Sequence, residues 1–141
     1  MVNDLLTAVT TQLGKTFGTT YRYYVENVNQ GLEKPCFTVD FIQTSKRSKS
    51  PVLYERRVPI VVHYFTDDTN NVKRDCYAVA EQVIDCLEYL PFKDKVIRGE
   101  KISWQVVENV LQIFITYDFV TEKVIIYDNM EHLKVEDPTL N

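Results

Sequence analysis

Two consecutive stretches decide the fold of this chain: YERRVPIVVHYF at Tyr54–Phe65 and VKRDCYAVAEQVIDCL at Val72–Leu87. In the first stretch apolar side chains recur at every second residue, which is the period of a β-strand that buries one face. These alternating residues are Val58, Ile60, Val62 and Tyr64. The second stretch has an apolar stripe at helical spacing, formed by Val72, Cys76, Val79, Ala80, Val83, Ile84 and Leu87. A long strand followed by an amphipathic helix is therefore the centre of the predicted fold.

The same two periods recur on both sides of this centre. Upstream they predict a helix over Val2–Phe17 and strands at Tyr21–Val25 and Cys36–Ser45. Downstream the predicted β segments are Val96–Ile97, Ile102–Val106, Leu111–Phe119 and Val124–Tyr127, with a tight turn at Glu108–Asn109. Strands that alternate between apolar and polar residues are typical of antiparallel sheets with one open face.

Three segments interrupt these patterns. The polar stretch Ser45–Pro51 is predicted to be a loop. Pro59 cannot donate a hydrogen bond to a strand ladder, which places its stretch near a sheet edge or moves the paired section downstream. Pro91 is predicted to end the second helix.

The predicted fold class is α+β: a mainly antiparallel sheet with both helices packed on one face, in the order α-β-β-β-α-β-β-β. Residues 1–127 are predicted to form this single domain. The acidic segment 128–141 is predicted to be an extended or mobile tail.

Composition excludes several classes of protein. The chain has 141 residues, 45% of them hydrophobic, and a net charge of −4, which fits a globular domain and argues against wrapping of nucleic acid or binding to anionic membranes. The three cysteines, Cys36, Cys76 and Cys86, are an odd and widely spaced set, so we expect reduced and mostly buried thiols. The N-terminus lacks the pattern of a signal peptide, and the apolar stretches are too short to span a bilayer. We therefore expect the chain to fold in a cytoplasm.

No catalytic, cofactor or metal site is predicted. The glycines are isolated, so there is no phosphate-binding loop, and no nucleophile-elbow motif occurs. His63 lies in a predicted strand with no ligand at metal-binding spacing, and a structural role is the preferred interpretation. Zinc would require the fold to gather His63 with the three cysteines, and helical spacing separates Cys76 from Cys86 by about 15 Å. We predict that the protein is not an enzyme and needs no cofactor.

The distribution of charge is more informative than any single residue. Residues 43–57 contain five basic side chains against Glu55 alone, a local balance of +4, whereas residues 108–141 have a local balance of −5. The basic residues are Lys46, Arg47, Lys49, Arg56 and Arg57. Two interpretations stay open: two solvated surfaces, or a head-to-tail contact in which the basic segment of one copy meets an acidic surface of the next. We predict the five basic residues as a protein interface, since nucleic-acid binding would favour interleaved aromatic residues.

Several short segments together resemble a known family. They are Gly31-Leu32-Glu33-Lys34-Pro35-Cys36-Phe37, His63-Tyr64-Phe65, Cys76-Tyr77-x-Val79-Ala80-Glu81, Ile97-Arg98-Gly99 and Val110-Leu111-x-Ile113-Phe114. This pattern resembles the tail-terminator (tail-completion) family of tailed phages and phage-like particles of Gram-positive bacteria. The likeness covers roughly Val2 to Lys123, and the acidic segment after Lys123 is not matched.

The resemblance implies a structural virion protein assembled in the host cytoplasm. Such a subunit forms a homo-oligomeric ring, a hexamer in this family, that caps the head-proximal end of the tail tube. Its implied partners are the tube protein, the sheath protein of contractile tails and the head–tail connector, with DNA only passing through the lumen and no membrane. The alternatives are another head–tail joining or tail-assembly protein, or a small-ligand-binding or enzymatic α+β domain. A deep polar pocket around His63 or Asp40 would mark the last of these.

Overall fold

The structure is a computed structural model that describes residues 2–25, 31–122, 124–128 and 132–136. In chain order these residues form α1 (Val2–Phe17), β1 (Arg22–Tyr24), β2 (Cys36–Phe41), β3 (Ser45–Ser48), β4 (Leu53–Phe65), α2 (Val72–Leu87), β5 (Tyr89–Phe92), β6 (Lys95–Val107), β7 (Val110–Glu122), β8 (Val124–Asp128) and β9 (His132–Glu136). Both helices cover the stretches whose apolar periodicity predicts a helix.

The strands form one large sheet and one small one. In the large sheet the order is β1-β2-β4-β7-β6-β5, with β3 pairing with β4 beyond the end of β2. All of its pairs are antiparallel except β1 with β2, which is parallel. β8 and β9 pair with each other as a separate two-stranded sheet. The predicted α+β class with a mainly antiparallel sheet is confirmed.

The two faces of the large sheet differ in what covers them. Along β4 the even-numbered residues from Val58 to Tyr64 are buried, as predicted, while the odd-numbered residues such as Val61 and His63 are partly exposed. The buried face joins one core with the apolar stripes of both helices. These helical residues are Leu5, Leu6, Val9, Leu13, Cys76, Val79, Ala80, Val83 and Leu87. Both helices therefore pack on the same face, and in the described part of the chain no helix covers the other face, which we call the open face.

Of the two positions expected for Pro59, the sheet edge is wrong, because β4 lies inside the sheet; β2 pairs with β4 only after Pro59, from Ile60 to Phe65. Pro59 pairs with Thr116 of β7 on one side, and on the other side its carbonyl accepts a hydrogen bond from the N–H of Ile42 at 2.9 Å. The nitrogen and carbonyl of one residue point to the same side of an antiparallel strand. The missing donor of Pro59 therefore faces the short connection between β2 and β3, where the ladder is interrupted.

Two further segments differ from their predictions. The expected loop Ser45–Pro51 begins with a strand, β3, which pairs with the first part of β4. α2 ends at Leu87, before Pro91 can act on it, and Pro91 itself lies in β5 opposite Val96. Each of these short strands pairs with the next strand along the chain, through a local ladder that the propensity of its residues does not favour.

Part of the predicted C-terminal tail is also a strand. β9 lies within segment 128–141, whereas residues 129–131 and 137–141 lie outside the described residues. The division into a domain and a mobile tail stays a prediction. In the described part of the chain, neither helix reaches the length and apolarity that crossing a bilayer demands.

Gly99 of β6 lies close to both β7 and the end of α2. A Cβ atom added there would lie 2.6 Å from Cγ2 of Ile115 and 3.3 Å from Cε1 of Tyr117. The N–H of Gly99 donates to the carbonyl of Glu88 at 2.6 Å, and the buried hydroxyl of Tyr117 donates to the carbonyl of Leu87 at 2.6 Å. Gly99 thus lets β6 approach the last turn of α2, where helix carbonyls need partners.

Replacing this glycine should destabilise the fold. We expect Gly99→Ala to lower the free energy of unfolding by about 1–3 kcal/mol, because the branched side chain of Ile115 cannot move away without disturbing the core. Gly14→Ala is the matched control: nothing lies within 4 Å of its added Cβ, and alanine should stabilise α1 by about 0.5–1 kcal/mol. Urea unfolding of both variants checks the pair. Equal effects would show that close packing at Gly99 is not the constraint.

Candidate protein–protein interface

The five basic residues singled out in the sequence lie on one hairpin. We call the segment from Ser45 to Arg57, which contains β3, the turn and the start of β4, the basic hairpin. Its register places Lys46 opposite Arg56 and Arg47 opposite Glu55. Since side chains alternate across a strand, the hairpin presents basic groups on both of its faces.

On the open face of the sheet, the basic groups are held by carboxylates. Glu55 accepts from Nη2 of Arg47 at 3.0 Å and lies 3.6 Å from Nζ of Lys49. Arg57 lies opposite Asp118 of β7, and its Nε donates to Oδ1 of that residue at 3.0 Å. This hydrogen bond and the charge of Asp118 raise the pKa of Arg57. The guanidinium groups are therefore positioned before any partner binds.

Exposure differs among these groups. The side chain of Arg47 is 79% exposed, against 56% for Arg57 and 48% for Lys49. Exposed ion pairs contribute little to stability, so this cluster adds little to the folding of the domain. An exposed guanidinium that is already oriented is well suited to bind a carboxylate on another protein.

On the opposite face, the two remaining basic groups contact aromatic and hydroxyl groups. Nζ of Lys46 lies 4.1 Å from the centre of the Tyr54 ring, a cation–π distance. Nε of Arg56 donates to the hydroxyl of Thr121 at 3.3 Å. Arg56 thus helps to hold the hairpin on β7, whereas Lys46 packs on a ring of the hairpin itself.

A shallow groove runs beside the hairpin. It has a volume of about 380 Å³ and is open to solvent. Its lining combines basic, acidic and apolar groups: Arg47, Glu55, Arg56, Arg57, Asp118, Phe119 and Val120. A groove with three arginines and an apolar floor resembles a protein contact surface, because arginine and aromatic residues are enriched in such contacts.

The acidic C-terminal third does not form one surface on β7. Glu108 lies in the turn before β7, at the opposite end of that strand from Glu122, and Asp118 is bound to Arg57. The other acidic residues of this third of the chain are close together in sequence: Asp128, Glu131, Glu136 and Asp137. The acidic surface of the head-to-tail contact stays a prediction, and these carboxylates follow β7 in sequence.

The histidine and the cysteines considered for a ligand-binding or metal site lie in partly or fully buried positions of the fold. His63 is half-buried on the open face of the sheet; burial lowers its pKa and the charge of Asp40 partly opposes this. The thiols are free, and burial raises the pKa of Cys36, Cys76 and Cys86. A second groove is lined by residues that include Lys34, Asp68 and Glu108. Neither of the two grooves is lined by His63 or Asp40.

Comparison with known proteins decides the family. Residues 4–131 match the family model described as phage tail terminator protein, which is most of the chain. The chain belongs to the phage tail terminator family. A search of curated proteins returned no match.

Membership makes this tail terminator a structural component of a phage tail. The match extends past Lys123, where the sequence resemblance ended, and takes in β8. The match therefore includes β8 and ends before β9. Membership in a family of structural tail proteins argues against an enzymatic function.

Stability of the tail terminator should depend on pH through His63. Because its pKa in the folded state is lowered, the unfolded chain binds the proton more tightly, and stability falls as pH decreases below about 6.5. We expect His63→Gln to remove part of this loss. Asp40→Asn should steepen it, since the aspartate favours the protonated form. Urea unfolding of the three proteins between pH 7.5 and 5 (about the range in which histidine titrates) measures both effects, and identical slopes would contradict them.

Proposed function

We propose that this tail terminator assembles into a hexameric ring that caps the head-proximal end of the tail tube. The ring ends the growth of the tube, and of the sheath where the tail contracts, and gives the head connector a surface to join. Family membership supports a structural function in the tail. The observation that carries the choice of interface is the gathering of five basic side chains on one hairpin at the end of the sheet.

The two ends of the sheet differ in a way that suits a cap. The turn of the basic hairpin lies beside Leu53, which pairs with Glu122, whereas the turn at Glu108–Asn109 lies beside the opposite end of β7. A tail tube grows because each ring binds the next through the same contact. A terminating ring therefore needs one side that binds the last ring of the tube and another side to which no further tube ring can bind. We propose that the basic hairpin binds an acidic surface, on the next copy or on the tube.

The net charge also fits a passage for DNA. With a net charge of −4, a lumen built from this chain would hold few phosphate groups, since phosphate binding depends on basic side chains. DNA would therefore pass through the ring as cargo.

Electron microscopy of the protein with purified tail tubes tests this function. We expect a ring at one end of each tube and no further growth when tube subunits are added. Rings bound to a portal and absent from tubes would favour the alternative, another head–tail joining protein. Monomers that bind neither structure would contradict both.

Charge reversal at the hairpin should abolish capping without unfolding the protein. We expect Arg47→Glu with Lys49→Glu to reduce the fraction of capped tubes by about tenfold or more, because like charges would then face the acidic partner. The control variant carries the same change in charge on the exposed face of α2, Lys73→Glu with Arg74→Glu. Thermal melts of both variants verify folding. Equal capping by the two variants would exclude the hairpin as the interface.

A further inference from the structure

β6 has an edge that β5 covers only in part. β5 pairs with β6 from Lys95 to Arg98, whereas β6 continues to Val107. From Ser103 to Val107, the described residues provide a partner strand on one side only, β7. An uncovered strand edge presents backbone donors and acceptors to any strand that approaches it.

The turn that follows fixes which amides point outward. Glu108 and Asn109 both have positive φ, 50° and 65°, which is typical of a two-residue hairpin turn. Such a turn makes Val107 and Val110 a hydrogen-bonded pair. Since these pairs alternate along an antiparallel ladder, Ser103 and Gln105 bond to β7, and the N–H groups of Trp104 and Val106 point to the uncovered side.

The surroundings of this edge are apolar and exposed. Trp104 is 38% exposed, and its ring lies 5.4 Å from that of Tyr77 on α2, which is 46% exposed. Val107 at the end of the strand is 41% exposed. Exposed aromatic pairs are typical of protein contacts. The usual devices that protect an edge, proline and several charges, are absent from the sequence between Ser103 and Val107.

A second element in the same chain lacks neighbours of its own. β8 and β9 pair only with each other in the described part of the chain, and an isolated two-stranded sheet is marginally stable in water. β8 has the sequence Val-Ile-Ile-Tyr-Asp, which is rich in residues that favour strands. A hairpin of this kind gains stability when a third strand joins it.

From these observations we propose that the β8–β9 hairpin of one copy pairs, through β8, with the uncovered edge of β6 in the neighbouring copy. This inference rests on the proposed ring, because it supplies the contact between successive subunits. The contact is head-to-tail, with donor hairpin and acceptor edge on different surfaces, and such contacts close into rings.

The β8–β9 hairpin is too short to pair with the uncovered edge of β6 in its own chain. Trp104 and Val106 lie opposite Ile113 and Leu111, which are about 30–36 Å along β7 from Glu122. A single residue joins Glu122 to β8, and five residues of strand span about 17 Å. The hairpin of one copy therefore ends well short of its own β6 edge.

Charge supports the same pairing. The segment from Val124 to Glu136 has three acidic residues against one lysine, whereas β6 has three basic residues against one glutamate. The acidic residues are Asp128, Glu131 and Glu136, and the basic ones are Lys95, Arg98 and Lys101. Lys95 and Arg98 lie in the part of β6 that β5 covers, and Lys101 is the basic residue nearest the uncovered edge. Opposite charge therefore favours the encounter of two copies more than it stabilises the contact itself.

Amide hydrogen exchange on the wild-type protein tests the edge directly. We expect exchange at Trp104 and Val106 to slow by about tenfold or more when the ring forms or caps a tube. The amides of Ser103 and Gln105 are the internal control, because β7 protects them in both states. Capped tubes in which Trp104 and Val106 still exchange rapidly would overturn this interface and leave the capping function standing. Failure to cap tubes would count against the function alone.

Mixing two variants, one with a blocked β6 edge and one with a blocked β8–β9 hairpin, tests the two sides of the proposed contact separately. Val106→Pro removes the N–H group of Val106 that points to the uncovered side. Val106→Ala is its control, because it keeps this N–H group and also loses the side-chain contacts of valine. Ile125→Pro with Ile126→Pro blocks the hairpin. We expect each proline variant to be monomeric, Val106→Ala to assemble, and an equal mixture of the two proline variants to form heterodimers and nothing larger. Native mass spectrometry distinguishes these species, and rings from Val106→Pro or a mixture without heterodimers would contradict the proposal.

Discussion

The pairing of β4 with β7 is the constraint on which the rest of the structure depends. The two strands pair over thirteen positions, from Leu53 with Glu122 to Phe65 with Val110, without a shift in register. β2 and β3 attach to the outer edge of β4, and β6 attaches to that of β7. A slip of one residue would turn Val58 and its neighbours to the open face and bring His63 into the core. The burial of both helices therefore depends on this register.

The same pairing explains where the proposed assembly surfaces lie. Because both helices cover one face, assembly can use the open face, the ends of the sheet and its edges. The basic hairpin extends β4 at one end of the sheet, and the uncovered part of β6 lies toward the other end. Two different contact surfaces at opposite ends of one long strand pair are what a head-to-tail subunit requires.

Local pattern predicted the elements well and their partners less well. Both helices were predicted from their apolar stripes, although α2 ends at Leu87, ahead of Pro91, and Glu108–Asn109 is the expected turn. The wrong edge position of Pro59 and the missed strand β3 share a cause: both depend on how β2 and β3 divide one side of β4, which no local period encodes. The five basic residues were predicted as a group, but their separation onto two faces and the contact of Arg57 with Asp118 follow from the register of β4 with β7.

Three of the five charges of the basic hairpin already have carboxylate partners within the chain, and this limits what they can contribute to assembly. Glu55 and Asp118 already hold Arg47, Lys49 and Arg57, so a partner that covers them must desolvate existing ion pairs, which costs free energy that new pairs only partly restore. Such charges select the partner and its orientation and speed the encounter more than they strengthen the complex. The stability of a ring must then come from another source. The proposed backbone pairing along the uncovered edge of β6, beside exposed aromatic rings, is such a source, and it depends little on salt. The contacts of the basic hairpin, in contrast, weaken as salt screens their charges.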